Sequence, residues 1–345
     1  MIDFQPDYFS DTSINYSSVP LTNLHEIENI LKEQFPIIGR ILDAKNLSGL
    51  DINSSNVKIT SETGHYILKN WSSKDSNRIN QICRILLHLN SEGISAPVPV
   101  TTIENKYIFE FKKGNATLFN YLDGEIFQPV FSDLQSYFVS ISNLFISLRK
   151  FNGENNNYNL YPDPELISNT LNRTVTNNFS ELAIRFPGDF IKLKKMHKKL
   201  LVDLGKYSTN THNNEKQFSH YDLHPKNILK QKKGSYAFLD FESCVISDSN
   251  IAWGFSLIKI LRQVMAGSQV ILDPIIVGEK SLDLIRNQEF ANKLIVPLLP
   301  VFGRVEVMRR LTYIINEFEH NNSETWLSML PIQVQLLRES YILFP

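Results

Sequence analysis

Cysteine is scarce in this chain of 345 residues, which contains only Cys83 and Cys244. Two cysteines far apart in sequence do not suffice for a disulfide framework or a cysteine-based zinc site, so we expect reduced thiols. Long hydrophobic runs are also missing, because the longest candidate, Leu294–Phe302, is too short to cross a bilayer and contains two prolines. The N-terminal segment MIDFQPDYFSD lacks the basic start and apolar core of a signal peptide. These absences predict a cytoplasmic protein without a membrane partner.

An excess of charge of either sign is absent as well. Lysine and arginine total 35, aspartate and glutamate total 36, and the formal net charge is −1. This balance provides no global attraction for nucleic acid or for an anionic membrane, so we expect neither as a partner. Hydrophobic residues make up 42% of the chain, as in a globular protein long enough for two domains, and the oligomeric state is left open.

The hydrophobic pattern changes near residue 121. Upstream, helices are predicted at Leu21–Phe35 and Ser72–Gly93, the second with Ser73 or Asp75 as its N-cap. Strand-like runs surround these helices at Ile37–Ala44, Asn56–Thr60, His65–Trp71, Val98–Ile103 and Lys106–Lys113. Downstream, helical periodicity covers Ser132–Phe151, Pro164–Asn177, Phe190–Leu204, Ile251–Ala266, Ser281–Leu294 and Val305–Phe318, with one β-like island between Phe218 and Phe241. We therefore predict an α+β fold with a small β-rich N-lobe (residues 1–121) and a larger helical C-lobe (residues 122–345).

The segment FSHYDLHPKNILKQKKGSYAFLDFES, Phe218–Ser243, contains the residues most suited to catalysis. Asp222 precedes Asn227 by five residues, and Asp240 ends an apolar run. Phosphoryl transfer needs one carboxylate to accept the proton of the attacking hydroxyl, and an amide and a second carboxylate to hold magnesium on the nucleotide phosphates. A loop, a strand, a turn and a returning strand would direct all three into one cleft. The alternative is a hairpin in which Asp222 and Asn227 only cap turns.

These residues resemble the aminoglycoside phosphotransferase superfamily, which includes choline kinases and type II homoserine kinases. Its His-Gly-Asp-Leu-His-x-x-Asn loop is similar to HYDLHPKN here, with Tyr221 in place of glycine, and its Ile-Asp-Phe-Glu strand is similar to FLDFES. The resemblance implies a protein-kinase-like fold. It also implies that Asp222 is the catalytic base, that Asn227 and Asp240 are magnesium ligands, and that His220 organises the catalytic loop.

A kinase also needs a lysine on a central strand to contact the nucleotide phosphates. Lys69 ends the run Tyr-Ile-Leu-Lys, which is similar to the family's Tyr-Val-Leu-Lys, although a lysine at a strand end is commonly a plain surface residue. The phosphate-covering loop would precede it, with Gly49 as its one glycine and with small polar residues whose amides could face phosphate. Three residues of Leu118–Phe127, namely Tyr121, Leu122 and Gly124, resemble the hinge that contacts adenine; an ordinary strand-to-helix turn explains the same residues equally well.

Three further residues near the motifs are candidates for substrate binding or loop organisation. His224 lies inside the loop, where stabilising the loop is its expected role. Glu242 follows Asp240 and would bind a cationic acceptor or a magnesium-bound water, or fix the loop. Asp248 stands where the family has a Gly-Asp-Pro segment, while the aspartate usual four residues later is Ala252 here.

One departure argues against full activity. The helix after Lys69 should carry a glutamate that pairs with this lysine, but the matching turn holds Gln81, and the next acid is Glu92. Either a neutral amide orients Lys69, or an acid reaches it from elsewhere, or the nucleotide site is weakened.

Three functional classes follow from these observations. The first is an ATP- and magnesium-dependent kinase, with GTP as the other candidate nucleotide. Its acceptor would be a hydroxylated small molecule, namely an amino alcohol, an amino sugar or a homoserine-like metabolite, and a cationic acceptor would need acids such as Glu242, Asp248, Glu317 and Glu319 around Asp222. The second is a catalytically impaired nucleotide-binding or scaffold protein on the same fold. The third, a protein kinase, is disfavoured because the chain lacks a Gly-x-Gly-x-x-Gly loop, an arginine in the His-x-Asp triplet and an Ala-Pro-Glu segment.

Overall fold

A computed structural model describes residue 4 and residues 16–18, 21–47, 55–71, 75–111, 114–153, 161–177, 180–210, 216–268 and 271–345. Its strands are β1 (Tyr16–Ser18), β2 (Ile41–Leu47), β3 (Ser55–Ser61), β4 (Gly64–Asn70), β5 (Pro99–Val100), β6 (Phe109–Phe111), β7 (Gly114–Asn120), β8 (Glu125–Ile126), β9 (Lys216–His220), β10 (Ile228–Lys230), β11 (Tyr236–Phe238) and β12 (Cys244–Asp248). Its helices are α1 (Leu21–Gln34), α2 (Ser76–Ser91), α3 (Leu134–Lys150), α4 (Pro164–Thr176), α5 (Glu181–Arg185), α6 (Pro187–Asn210), α7 (Ser249–Gly267), α8 (Pro274–Arg286), α9 (Leu299–Asn321) and α10 (Leu330–Leu343). Within these described ranges no helix has the length and apolar character needed to span a membrane.

The N-terminal part of the chain forms a seven-stranded antiparallel sheet. The strand order is β1-β2-β3-β4-β7-β5, and β6 pairs with β7 beside β5. Strand β4 lies between β3 and β7, with Lys69 opposite Asn56 on one side and Thr117 on the other. The predicted position of Lys69 on a central strand is therefore confirmed.

The buried hydrophobic residues of the described ranges form two cores. Helix α1 packs against the large sheet in the smaller core, through residues such as Leu31, Ile59 and Leu118. Helix α2 contributes its buried face to the larger core, which also contains the helices that follow the sheet. Asp75 is the N-cap of α2 and accepts a hydrogen bond from the amide of Asn77 (3.1 Å), which confirms one of the two predicted caps. The α+β prediction is confirmed, whereas the domain boundary at residue 121 stays a prediction.

The helical part centres on the long helices α7 and α9. Both are buried along most of their length, and α10 packs against them. The two helices approach closely at Gly254 and Gly303, where an added Cβ atom would overlap backbone atoms of the opposite helix. A fully buried ion pair between Arg262 and Glu339 (2.6 Å) joins α7 to α10.

Several predicted element boundaries were wrong. The strand predicted at Ile37–Ala44 begins only at Ile41, because Pro36–Ile38 forms a 3-10 turn. The five predicted strands omit two of the seven in the sheet, namely β1 and β7, and the GNATLFN sequence of β7 opens with turn-forming residues. Helix α8 was expected at Ser281–Leu294, but it spans Pro274–Arg286 because Asp273 caps it.

Candidate active site

Two nested strand pairs place the candidate catalytic residues next to each other. Strand β9 pairs with β12, and β10 pairs with β11, so the loop after β9 lies beside the loop after β11. The two loops are also joined directly, since the amide of Leu239 donates to the carbonyl of Asn227 (2.8 Å) and the amide of Tyr221 donates to that of Ser243 (3.3 Å). This arrangement brings Asp222, Asn227 and Asp240 into one region, although 13 residues separate Asn227 from Asp240 in the chain.

His220 is fully buried beneath the loop that follows β9. Its Nε2 donates to the carbonyl of Leu239 (2.7 Å), and its Nδ1 accepts the amide proton of Asp222 (3.3 Å). Both bonds require the neutral ring with its proton on Nε2. Burial favours that form and lowers the pKa of His220. The ring therefore bridges the two loops, and its burial keeps it from touching a substrate. The organising role expected for His220 stays a prediction.

Asn227 and Asp240 offer oxygen atoms suited to a hard cation. The side-chain nitrogen of Asn227 donates to the carbonyl of Asp222 (3.0 Å), so its amide oxygen is the ligand atom that it can offer. The Asp240 side chain is 44% exposed, and its backbone is left-handed (φ 57°), a conformation that non-glycine residues adopt mainly where function or packing demands it. One amide and one carboxylate oxygen suit Mg²⁺, which takes only one or two protein ligands besides phosphate oxygens and water. No cluster of three or more His, Cys, Asp or Glu side chains with metal-binding geometry occurs among the residues that the structure describes.

Lys69 points from the sheet toward the loop that follows β11. Its Nζ lies 3.9 Å from Oδ1 of Asp240 and forms a close ion pair with Oε1 of Glu242. The side chains of Lys69 and Glu242 are both largely buried, at 14% and 12% exposure. Of the three explanations considered for Gln81, the structure therefore favours the second: an acid reaches Lys69 from another part of the chain.

Gln81 belongs to a different contact, which connects α2 with the loop that follows β11. Its side-chain oxygen accepts a hydrogen bond from Arg78, and both residues are buried. Arg78 also donates to the carbonyls of Glu242 (2.9 Å) and Cys244 (2.6 Å). Helix α2 is thus attached to the backbone of the segment that carries Glu242, so the helix still supports the lysine pair without contributing its own acid.

Asp222 is paired with a residue that sequence reasoning missed. Nη1 of Arg310, on α9, donates to Oδ1 of Asp222 (2.9 Å), and Nε2 of His224 lies 3.6 Å from Oδ2. Burial alone would raise the pKa of Asp222, but the charge of Arg310, with smaller effects of His224 and Lys259, lowers this pKa well below its usual range. The carboxylate is therefore ionised near neutral pH, as a proton acceptor must be.

The segment Tyr121–Gly124 connects the large sheet to the strands of the catalytic loops. The amide of Tyr121 donates to the carbonyl of His65 (3.0 Å), and β8 pairs with β10 immediately afterwards. Gly124 has a packing reason to be glycine, since a Cβ atom there would lie 2.9 Å from Cβ of Leu229 and 3.1 Å from the carbonyl oxygen of Lys230. Leu122 lies between Tyr121 and Gly124 in this connecting segment. The contact of the three residues with adenine stays a prediction.

The other candidate residues have defined positions. Nδ1 of His224 accepts the amide of Lys226 (3.2 Å) at the start of a 3-10 turn. Asp248 is buried at the N-cap of α7, where it accepts hydrogen bonds from the backbone and side-chain nitrogens of Asn250 (2.9 and 2.8 Å). Gly49 lies outside the described residues.

The four acids considered for a cationic acceptor are each engaged by other residues. Glu242 pairs with Lys69, and Asp248 caps α7. Glu319 pairs with Arg173 (2.8 Å), and Glu317 accepts a hydrogen bond from Asn321 (3.0 Å). The charged side chain in direct contact with Asp222 is instead the cation Arg310.

Known structures share this fold. A spectinomycin phosphotransferase, APH(9)-Ia, solved with ADP and spectinomycin, superposes with a TM-score of 0.61 at 13% identity, over 93% of this chain and 97% of that chain. The amicoumacin kinase hAmiN, solved with AMP-PNP, Ca²⁺ and Ami, gives a TM-score of 0.61 at 15% identity, over 93% of this chain and 95% of that chain. An ethanolamine kinase from Plasmodium vivax gives 0.52 at 13% identity, over 87% and 82%. No curated protein sequence matches the chain.

The fold is therefore the two-lobed protein-kinase-like fold. The protein is of the class of small-molecule phosphotransferases. The sequence profile described as the phosphotransferase enzyme family (APH) matches residues 46–249, more than half of the chain. The chain belongs to this family, which confirms the resemblance identified from the HYDLHPKN and FLDFES motifs.

Proposed function

We propose that this protein is an ATP-dependent kinase that transfers the γ-phosphate to a hydroxyl group of a small molecule. The observation that carries the proposal is the contact of Lys69 with Asp240 and Glu242, because a lysine suited to binding phosphate lies beside a carboxylate suited to binding a metal ion, from a distant part of the chain. Asp222 lies in the adjacent loop, where it can accept a proton. A purely structural hairpin has no need for this convergence.

Each residue has a defined task in the proposed reaction. Lys69 contacts the phosphates of the nucleotide, while Asn227 and Asp240 hold magnesium, which neutralises phosphate charge when it is bound. The acceptor oxygen forms a bond to the γ-phosphorus as the bond from this phosphorus to the ADP oxygen breaks. The proton of the acceptor hydroxyl goes to the carboxylate of Asp222. Tyr121, Leu122 and Gly124 are proposed to border the adenine, with ATP preferred over GTP only by analogy.

The acceptor is proposed to be an amino alcohol, an amino sugar or a homoserine-like metabolite. Structural relatives are named for spectinomycin, amicoumacin and ethanolamine, each of which those proteins bind or phosphorylate. Because identity to these relatives is only 13–15%, they support the reaction type more than the acceptor. A kinase of this kind works where ATP is abundant, so the cytoplasm remains the proposed location.

The competing function is a nucleotide-binding scaffold without turnover. Its main support in the sequence was Gln81 in place of the helix glutamate. The Lys69–Glu242 pair weakens that support, since a carboxylate is present at the lysine by another route.

Thermal-shift measurements with ATP and GTP, each with and without Mg²⁺, test the proposal first. A nucleotide present at 100 times its dissociation constant adds about 2.7 kcal/mol to the stability of the native state. We expect a magnesium-dependent rise in Tm, followed by ADP release when homoserine, ethanolamine or an aminoglycoside is added. A Tm that neither nucleotide changes would contradict the proposal. A rise in Tm with no ADP formed, whether an acceptor is added or water is the only acceptor, would favour the scaffold.

A further inference from the structure

We propose that Arg310, on α9, is the positioning residue of the candidate base. This inference rests on the proposed function, since it concerns the orientation of Asp222. Nη1 of Arg310 donates to Oδ1 of Asp222 (2.9 Å), and Nη2 donates to the backbone carbonyl of Tyr221 (3.0 Å). One planar guanidinium therefore holds both the carboxylate and the main chain of the loop, which defines the direction of the side chain.

Arg310 is itself firmly held. Its Nε donates to Oε1 of Glu306 (2.7 Å), one helical turn earlier on α9, and Glu306 is fully buried. The guanidinium lies over the ring of Phe255 on α7, 4.1 Å from the ring centroid. Since α7 and α9 are buried along most of their length, the group that orients Asp222 is attached to the packed interior of the fold rather than to a loop.

The geometry also distinguishes the two oxygens of Asp222. Oδ1 accepts the hydrogen bond from Arg310, while Oδ2 lies 3.6 Å from Nε2 of His224. We therefore assign Oδ2 as the atom that takes the acceptor proton. Without Arg310, the carboxylate could rotate about its side-chain bonds, and both oxygens would leave the reactive direction.

Arg309 provides a matched control, because it neighbours Arg310 and binds the same buried acid. Its Nε and Nη2 donate to Oε2 and Oε1 of Glu306 (2.7 and 2.8 Å). The hydrogen bonds to Asp222 and to the carbonyl of Tyr221 come from Arg310. Replacing Arg309 removes a cation from Glu306 and from the ring of Tyr221, whose centroid lies 5.9 Å away, but leaves both hydrogen bonds that Arg310 makes to the loop.

The experiment compares the steady-state kinetics of Arg310→Gln, Arg310→Lys, Arg309→Gln and Asp222→Asn in the full chain, with Mg-ATP and water as the acceptor. Arg310→Gln should lower kcat roughly 100-fold, the scale expected when a reacting group is misplaced by about 1 Å, with little change in KM for ATP. Arg310→Lys should recover only part of kcat, because an ammonium group cannot make both bonds in one plane. Arg309→Gln should lower Tm but keep kcat.

Chemical rescue provides a second readout that folding defects do not imitate. In Arg310→Ala, free guanidinium ion at millimolar concentration should raise kcat, whereas it should have no such effect in Asp222→Asn. If Arg310→Gln does not fold, Arg310→Lys and the rescued alanine variant decide the question.

Two results would overturn the inference while leaving the proposed function intact. One is wild-type kcat in folded Arg310→Gln, and the other is an equal loss of kcat in Arg309→Gln, which would indicate a general packing role for both arginines. In either case Asp222→Asn would still be inactive. Full turnover in Asp222→Asn would instead contradict the proposed function itself.

Discussion

At the scale of single residues, the proposed nucleotide site depends on the ion pair between Lys69 and Glu242. Kinases of this fold are expected to take the partner of this lysine from the helix that follows it, and here the acid comes from the segment after Asp240. Because Glu242 is only two residues from Asp240, the lysine partner and the proposed magnesium ligand belong to one short turn. A change in that turn should therefore affect both.

Glu242→Gln should weaken ATP binding about tenfold, because the loss of one charge-assisted contact of roughly 1.5 kcal/mol leaves Lys69 without a fixed direction. Isothermal titration with Mg-ATP measures this change. Glu104→Gln is the control, since Glu104 pairs with Lys106 at the surface, with 63% and 67% of the two side chains exposed, and such pairs contribute little. An unchanged affinity in Glu242→Gln would show that the ion pair has no role in nucleotide binding.

Asp222→Asn should reduce kcat by about 100- to 10,000-fold, the usual contribution of a general base. The affinity for Mg-ATP should stay the same, because the amide keeps the shape of the side chain and the phosphate-binding residues are untouched. Single-turnover kinetics and nucleotide titration on the same preparation separate the two quantities. A parallel loss of both would indicate that Asp222 supports the loop rather than the chemistry.

At the scale of elements, the contact between α7 and α9 supports the loop that contains Asp222. Helix α9 carries Arg310 and Glu306, and α7 begins directly after its cap residue Asp248, which is the last residue of the strand that pairs with β9. The two helices are close enough at Gly254 and Gly303 that neither position has room for a methyl group. Small changes in the helix crossing should therefore reach Asp222 through Arg310.

Gly254→Ala should destabilise the protein by about 1–3 kcal/mol, the range for overpacking a well-filled core. The added methyl group would overlap the carbonyl oxygen of Leu299 and the backbone of Gly303, which cannot move independently of α9. Gly205→Ala on α6 is the matched control, because nothing lies within 4 Å of its added Cβ atom and alanine favours the helix by roughly 0.5–1 kcal/mol. Urea denaturation of both variants measures the difference, and equal stabilities would contradict the close approach.

At the scale of the whole molecule, the larger hydrophobic core includes residues from both sides of the proposed hinge. Cys83 of α2 and Cys244 of β12 are both fully buried in this core. Helix α2 is also attached to the backbone of the catalytic segment through Arg78. Exposure of either thiol therefore requires opening of the core itself rather than a surface fluctuation.

Both thiols should resist a thiol reagent in the native protein at pH 8. Burial raises the pKa of Cys83 and of Cys244 to about 12, so the reactive thiolate is scarce as well as inaccessible. Both cysteines should react promptly once the chain is unfolded in guanidinium chloride, and the chromophore released by Ellman's reagent counts them. Rapid reaction of a thiol without denaturant would mean that the core opens easily.

Much of this protein could be predicted from the sequence because local rules determine it. Asp222, Asn227 and Asp240 stand at fixed spacings within one short segment, and Lys69 ends a clearly patterned strand. Helix α2 follows from its cap at Asp75 and its amphipathic period, which depend only on neighbouring residues. The fold class and the family could therefore be predicted from the sequence.

Other features depend on contacts between residues that are distant in the chain, and the sequence analysis missed these features or left them open. Helix α10 was missed because it is buried on nearly all sides, so its sequence shows no amphipathic period. The partner of Lys69 was open among three explanations because Glu242 is far away in the chain. Nothing in the local sequence indicated a role for Arg310, since a glutamate and an arginine one helical turn apart are common on exposed helices. Only the packing of α9 against the catalytic loop brings its guanidinium to Asp222, because the direction of a long side chain is decided by what surrounds it in space.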